Sequence, residues 1–106
     1  MTEEHPFTSL TPDLVMDAVE SVGYQCDARI LELNSYENRV YQIGIEDNEP
    51  VVGKFYRPNR WSDEEILEEH EFTQELADEE ISVVAPLQID GDKTLSAFHQ
   101  FRFSLY

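Results

Sequence analysis

Basic side chains are scarce in this sequence. Its 106 residues include seven lysines and arginines against 23 aspartates and glutamates, which gives a formal net charge of −16. Sequence-independent nucleic-acid binding requires clustered Lys and Arg at the phosphates, and an anionic membrane surface attracts the same side chains. The charge balance therefore predicts that the chain binds neither nucleic acid nor a membrane.

Cysteine and long apolar stretches are also scarce. Cys26 is the single cysteine, so no internal disulfide can form, which is typical of the reducing cytoplasm. Because Cys26 has no basic neighbour to stabilise a thiolate, we expect no nucleophilic role for it. The sequence has no apolar run of about 18 residues and no basic-then-apolar N-terminus, so we predict a cytoplasmic protein without a membrane span or signal peptide.

The three histidines, His5, His70 and His99, are scattered along the sequence. Their spacing does not match that of metal ligands. We therefore predict no metal site in this chain, and we expect the histidines to be surface or partly buried side chains.

Two helices are indicated by their capping residues. Thr11 followed by Pro12 predicts a helix start, and Gly23 predicts its end. Ser62 with Glu65 three residues later is a capping box, so a second and longer helix is predicted over residues 61–80. Residues 63–80 contain ten acidic side chains and no Lys or Arg, which is typical of a solvated helix face.

Strand-like runs fill most of the remaining sequence. We predict strands over residues 28–33, 39–45, 51–56, 83–89 and 101–106, with a short extra strand within 95–98. Short polar loops join the first three, which favours an antiparallel meander and the α+β class. The sequence ends on the apolar run FRFSLY. Because natural domains seldom end on such an unprotected edge, we interpret the chain as truncated.

The stretch VVGKFY, residues 51–56, contains the only lysine among the first ninety residues. A lysine within an apolar strand must reach an edge or meet a partner charge. Alternation along the strand assigns Val52, Lys54 and Tyr56 to one face of the sheet, and Val51 and Phe55 to the other.

The long helix offers a partner for this lysine. Its apolar stripe is predicted to comprise Ile66, Leu67, Phe72, Thr73 and Leu76. Glu69 falls inside this stripe, so we predict a buried ion pair between Lys54 and Glu69. Two alternatives stay open: Glu68 takes the place of Glu69, or both members of the pair reach solvent independently.

The turn NSYEN, residues 34–38, joins two predicted strands without a glycine. Asn and Ser favour tight turns and can direct backbone N–H groups at an anion. Most such turns are only turns, so this pattern alone is a weak indication of phosphate binding.

Three stretches, LNSYENRVYQ, VVGKFYRPNRW and ILEEHEFTQELADEEISVVAPL, resemble the N-terminal lobe of kinases of the aminoglycoside phosphotransferase and choline kinase family, and within it a branch of bacterial stress response kinases. The resemblance runs from about Phe7 to Tyr106. It implies a kinase-like lobe with about five antiparallel strands, one long helix and an N-terminal helix. Residues 1–106 would be the ATP-binding lobe of a Ser/Thr protein kinase acting in the stress response.

The resemblance also implies roles for particular residues. Lys54 matches the lysine that holds the α- and β-phosphates of ATP, and Glu69 matches its helix partner, so these two are the expected catalytic residues. Ser35 and Tyr36 fall at the tip of the phosphate loop, which lacks the G-x-G-x-x-G of many kinases. The remaining cofactor-binding positions are Val40 and Val52 around the adenine, and Phe103 and Leu105 in the segment that leads into the hinge.

The same resemblance implies that a C-terminal lobe is missing. That lobe would carry the catalytic aspartate and the ligands of Mg²⁺, so the 106 residues alone are predicted to be inactive. The apolar surface that meets it could promote self-association of the fragment. Two alternatives remain: a small acidic binding or inhibitor module that covers a basic protein surface, and a folded domain without any site.

Overall fold

The computed structural model describes Phe7 and residues 9–33, 38–58, 60–80, 84–89, 91 and 93–106. Within this part of the chain there are two helices, α1 (Pro12–Ser21) and α2 (Asp63–Asp78), and five strands: β1 (Cys26–Leu33), β2 (Arg39–Ile45), β3 (Asn48–Phe55), β4 (Ser96–Phe98) and β5 (Phe101–Leu105). The strands form one antiparallel sheet in the order β1-β2-β3-β5-β4. The predicted α+β class with a five-stranded antiparallel sheet is confirmed.

Both helices begin where their capping residues predict. Thr11 Oγ1 accepts a hydrogen bond from the Leu14 N–H at 3.2 Å, and Pro12 occupies the first turn of α1. At the start of α2, the Glu65 N–H donates to Ser62 Oγ at 3.1 Å, while the Ser62 N–H donates to Glu65 Oε1 at 2.9 Å. The hydrogen bond from the Ser62 N–H, with a smaller contribution from the Ser62 hydroxyl, holds the pKa of the Glu65 carboxyl below its usual value. Neither described helix combines the length and apolarity needed to cross a bilayer.

The hydrophobic core lies between α1 and one face of the sheet. At its centre the rings of Phe55 and Phe103 stack with their centroids 5.2 Å apart. Both side chains are almost fully buried, and the apolar face of α1 packs into the same cluster. The remaining members of this core include Val15, Ala18, Val19, Tyr41, Ile43, Ile45, Val51, Phe101 and Leu105.

One predicted strand is wrong. Residues 84–89 do not form a strand, and residue 83 lies outside the described part of the chain. The segment makes two separate hydrogen bonds: Leu87 N–H donates to Leu105 O at 2.7 Å, and Ile89 N–H donates to Lys93 O at 2.8 Å. Pro86 has no backbone N–H and therefore cannot contribute a donor to a ladder between them. The short strand predicted within residues 95–98 is confirmed as β4.

The sheet face opposite α1 is arranged in rows that cross the strands. Lys54 in β3 is directly opposite Val40 in β2 and Ser104 in β5. In the neighbouring row, Val52 is joined to Tyr106 by two reciprocal backbone hydrogen bonds of 2.9 and 2.8 Å. Because paired residues in antiparallel strands point to the same side, these side chains share one surface. We call it the Lys54 face.

Candidate functional site

The central feature of the Lys54 face is an ion pair. Lys54 Nζ lies 3.6 Å from Glu69 Oε1, so the predicted partner is confirmed in preference to Glu68. The expected burial is wrong, since the side chain of Lys54 is 26% exposed and that of Glu69 is 61% exposed. A pair this open to solvent contributes at most about 1 kcal/mol to stability.

The orientation of α2 explains why Glu69 is exposed. Among its described side chains, Ile66 and His70 are the buried ones. Leu67 and Phe72, which were predicted to face the core, are 42% and 59% exposed. The helix therefore contacts the sheet through residues 66 and 70, four apart on one face, and Glu69 lies beside that contact rather than inside it.

Lys54 lines a small cavity between α2 and the sheet. The cavity measures about 70 Å³, and its walls include Asn38, Tyr56, Trp61 and Ile66. The ammonium lies 5.2 Å from the centre of the Tyr56 ring, a cation–π arrangement that holds it over the sheet. A space of this size suits water rather than a nucleotide, so a larger ligand would approach Lys54 from the open surface.

A chain of hydrogen bonds lies directly behind the ion pair. The Tyr56 hydroxyl is 2.8 Å from His70 Nε2 and 3.2 Å from Ser104 Oγ. The other ring nitrogen, His70 Nδ1, is 2.7 Å from Thr94 Oγ1. Ser104 Oγ in turn donates to the Tyr106 hydroxyl at 3.3 Å. The chain thus connects α2, β3, β5 and the segment before β4.

Burial sets the protonation states in this hydrogen-bond chain. His70 is 3% exposed, and desolvation lowers its pKa, so the ring is neutral near pH 7. Burial raises the pKa of the Tyr56 hydroxyl, which keeps it protonated. The expectation of a surface or partly buried histidine is wrong for His70. Its spacing of four residues from Ile66 was the signal in the sequence that assigns it to the buried helix face.

The two valines predicted around an adenine ring lie on the Lys54 face. Val40 is directly opposite Lys54, Val52 is two residues before it, and both are half-buried. Leu31 on β1 lies in the same row as Val52 and is 59% exposed. The sequence analysis missed Leu31, although its place in the alternation of β1 pointed to this face.

The other predicted binding residues differ in their placement. Phe103 and Leu105 are fully buried in the core on the α1 side of the sheet, so their side chains do not reach the Lys54 face. On β5 the alternate residue Ser104 faces Lys54. A contribution of Phe103 and Leu105 to nucleotide binding stays a prediction, limited to their backbone groups. Ser35 and Tyr36 lie outside the described residues.

Neither a metal cluster nor a reactive thiol occurs in the described part of the chain. There, no group of three or more His, Cys, Asp and Glu side chains is arranged to hold a metal ion, despite the acidic sequence of α2. Burial and three nearby carboxylates raise the pKa of the Cys26 thiol to about 11. Cys26 is therefore protonated at neutral pH, which makes it a poor nucleophile.

Comparison with known proteins identifies similar chains. A family model described as the phosphotransferase enzyme family matches residues 29–106. Stress response kinase A of Escherichia coli strain K12 is 46% identical over 101 residues, and stress response kinase A of Salmonella choleraesuis is 45% identical over 100. The serine/threonine protein kinase RdoA of Salmonella typhimurium is 45% identical over 100 residues. Each alignment covers 94% of this chain, whereas the chain spans only 30% of the length of each relative.

Proposed function

The chain belongs to the phosphotransferase enzyme family, and on that premise we propose that residues 1–106 form the ATP-binding lobe of a kinase. Lys54 is the residue that contacts the phosphates, and Glu69 orients it. The observation that carries this proposal is the 3.6 Å ion pair between a strand lysine and a helix carboxylate on an otherwise open sheet face. ATP supplies the phosphoryl group and most of the negative charge in such a reaction.

The contribution of this lobe to the reaction is to hold the Lys54 ammonium in position. Lys54 is held by the rigid β3 ladder, by the Tyr56 ring beneath its ammonium and by Glu69 on α2. A cation fixed in this way stabilises phosphate charge without having to reorganise during the reaction. The half-buried Val40 and Val52 supply an apolar surface beside it, suited to the flat face of a purine.

We assign the remaining catalytic groups to a C-terminal lobe outside these 106 residues. We assign the catalytic aspartate and the Mg²⁺ ligands to that lobe by the family resemblance, since this chain spans only 30% of the length of each relative. The 106 residues are accordingly expected to bind nucleotide and to transfer no phosphate by themselves.

For the longer protein we propose a Ser/Thr hydroxyl on a protein as the phosphate acceptor and a role in the stress response. The support is the names of the relatives, which are stress response kinase A and serine/threonine protein kinase RdoA. The acceptor itself would contact the C-terminal lobe.

A titration of the chain with ATP, followed by NMR of its backbone amides, tests the nucleotide role. We expect the largest changes around Val40, Val52 and Lys54. Lys54→Met should weaken binding roughly 10- to 100-fold, because a hydrogen bond to a charged group is worth about 1.5–3 kcal/mol.

Lys93→Met is the matched control. Lys93 is the only other lysine in the sequence, and it lines a different cavity from Lys54, together with Leu67, Glu71 and Gln74 of α2. It should leave the affinity for ATP unchanged. Equal losses in the two variants would mean that general charge, rather than Lys54, attracts the nucleotide. A chain that ignores ATP but captures a basic protein in a salt-dependent way would favour the acidic binding module instead.

A further inference from the structure

The hydrogen-bond chain centred on Tyr56 and His70 joins the two elements that carry the ion pair. Tyr56 follows Lys54 by two residues on the same sheet face, and His70 directly follows Glu69 on α2. The Tyr56 hydroxyl and His70 Nε2 meet at 2.8 Å. Any rotation or shift of α2 that separates Glu69 from Lys54 therefore has to break or lengthen this buried hydrogen bond.

Apart from the ion pair between Arg102 of β5 and Asp63 at the start of the helix, 2.6 Å, few contacts among the described residues fix α2 against the sheet, and the only such pair at Glu69 is with the β3 lysine. Among the described residues of the helix, Ile66 and His70 are the buried ones, and the remaining apolar side chains are partly or largely exposed. The ion pair itself is too exposed to determine where the helix lies. A buried polar contact, by contrast, requires one particular geometry, since separating its two partners would cost each of them a hydrogen bond.

One arrangement of protons satisfies every member of the chain. Thr94 donates to His70 Nδ1, His70 Nε2–H donates to the Tyr56 oxygen, and the Tyr56 hydroxyl donates to Ser104 Oγ. Ser104 then donates to the Tyr106 hydroxyl. This order requires a neutral His70 with its proton on Nε2. Hydrogen bonds aligned in one direction polarise and strengthen one another.

We propose that Tyr56 and His70 are positioning residues: their hydrogen bond fixes α2 on β3 and so keeps Glu69 beside Lys54. The inference deepens the proposed function, because the ion pair matters for phosphate binding only if Lys54 is the phosphate contact. Neither residue needs to touch the nucleotide. Their hydroxyl and imidazole act through the placement of Glu69.

Competitive acylation of lysines tests this inference directly. The chain has two lysines, Lys54 partly shielded by Glu69 and Lys93 exposed. Each lysine's rate with a trace of acetic anhydride is measured by mass spectrometry and divided by its rate in the urea-unfolded chain. Glu69→Gln removes the attraction that holds the Lys54 ammonium and should raise its rate, which defines the value for a lost ion pair.

Tyr56→Phe removes only the hydroxyl and retains the ring under the Lys54 ammonium. It should raise the Lys54 rate to within about twofold of the Glu69→Gln value, and the double variant should rise no further, since both changes remove one coupled unit. Tyr41→Phe is the matched control, because Tyr41 is equally buried but lies in the core on the α1 side. It should leave the Lys54 rate unchanged, and no variant should alter that of Lys93.

His70 provides the second variant if Tyr56→Phe does not fold. His70→Gln retains an amide that can pair with Tyr56 and should raise the Lys54 rate less than His70→Leu does. The inference is overturned if Glu69→Gln raises the Lys54 rate while Tyr56→Phe and His70→Leu do not. It is also overturned if the effects of Tyr56→Phe and Glu69→Gln simply add, which would indicate a general loosening, or if Glu69→Gln has no effect.

The same samples separate this inference from the proposed function. ATP should slow the acylation of Lys54 but not that of Lys93. Absence of this protection in the wild-type chain would refute Lys54 as the phosphate contact. The comparison between Tyr56→Phe and Glu69→Gln, made without nucleotide, would still decide whether the hydrogen bond holds the ion pair.

Discussion

Replacing Phe103 with leucine tests on which side of the sheet the core lies and, with it, which side is free to bind a ligand. The Phe103 ring is fully buried and stacks on Phe55 at 5.2 Å with an angle of 18° between the planes. It packs against the α1 side, whereas Lys54 and the ion pair occupy the opposite face. The structure therefore predicts a large effect on stability and none on nucleotide binding.

The size of the effect follows from the contacts that are lost. An aromatic pair of this geometry contributes about 1 kcal/mol beyond its buried area, and the space left by the smaller leucine costs roughly another 1 kcal/mol. The total is about 2 kcal/mol. With an m-value of ~1.5 kcal/mol/M for a domain of this size, the urea midpoint should fall by roughly 1.3 M.

Urea unfolding followed by circular dichroism measures this shift, and Phe72→Leu is the control. Phe72 is 59% exposed, so its replacement should change the free energy of unfolding by no more than about 0.5 kcal/mol. The affinity for ATP in the absence of urea should be the same for wild type and Phe103→Leu. A loss of affinity with an unchanged midpoint would assign the Phe103 ring to the ligand side and refute this account of the sheet.

Two further predictions concern α2. Ser62→Ala removes the hydroxyl that accepts from the Glu65 N–H and should lower the free energy of unfolding by about 1 kcal/mol, whereas Ser62→Gly should cost only a few tenths; equal losses in urea unfolding would contradict a capping role. The second prediction is a pH dependence. Because desolvation lowers the pKa of His70 in the folded chain, the unfolded chain binds the proton first, and stability should fall as pH decreases below about 6.5. His70→Gln should remove this contribution to the pH dependence of the free energy of unfolding. The contributions of carboxylates elsewhere cancel when the curves of wild type and His70→Gln are subtracted. Parallel curves would contradict the assignment to His70. Lys54 opposes protonation of the ring and Glu69 favours it, but burial dominates both.

The features that the sequence predicted best depend on local chemistry. Thr11 and Ser62 cap their helices through side-chain bonds to backbone groups three residues away, and that chemistry is complete within a few residues. The meander of β1, β2 and β3 was likewise predictable from short polar loops between alternating runs. The segment of residues 84–89, which was wrongly predicted as a strand, is apolar and β-branched at its start. A proline within it has no backbone N–H to donate, so the hydrogen bonds of a strand ladder cannot run through it.

Features that depend on the orientation of a helix were harder to predict. The stripe assigned to α2 included Leu67 and Phe72, which are exposed, and omitted His70, which is buried. Hydrophobicity favours leucine, and only the tertiary partners Tyr56 and Thr94 make a buried histidine favourable. The partner of Lys54 could be predicted because few carboxylates of α2 fall on the side of the helix that faces the sheet. The exposure of Lys54 and Glu69 could not, because it depends on how closely the helix approaches the sheet.

The exposure of the ion pair, which the sequence analysis did not predict, suits the proposed function better than burial would. A fully buried pair would need its remaining hydrogen-bonding groups satisfied inside the protein, leaving nothing for a ligand. Here the 3.6 Å separation exceeds a usual N–H···O hydrogen bond, so Glu69 attracts the Lys54 ammonium without taking up its three donors. In a chain with a net charge of −16, a triphosphate gains little from the general field. Its contact has to be a cation that is held in place by charge and yet open to solvent, and Lys54 meets both conditions.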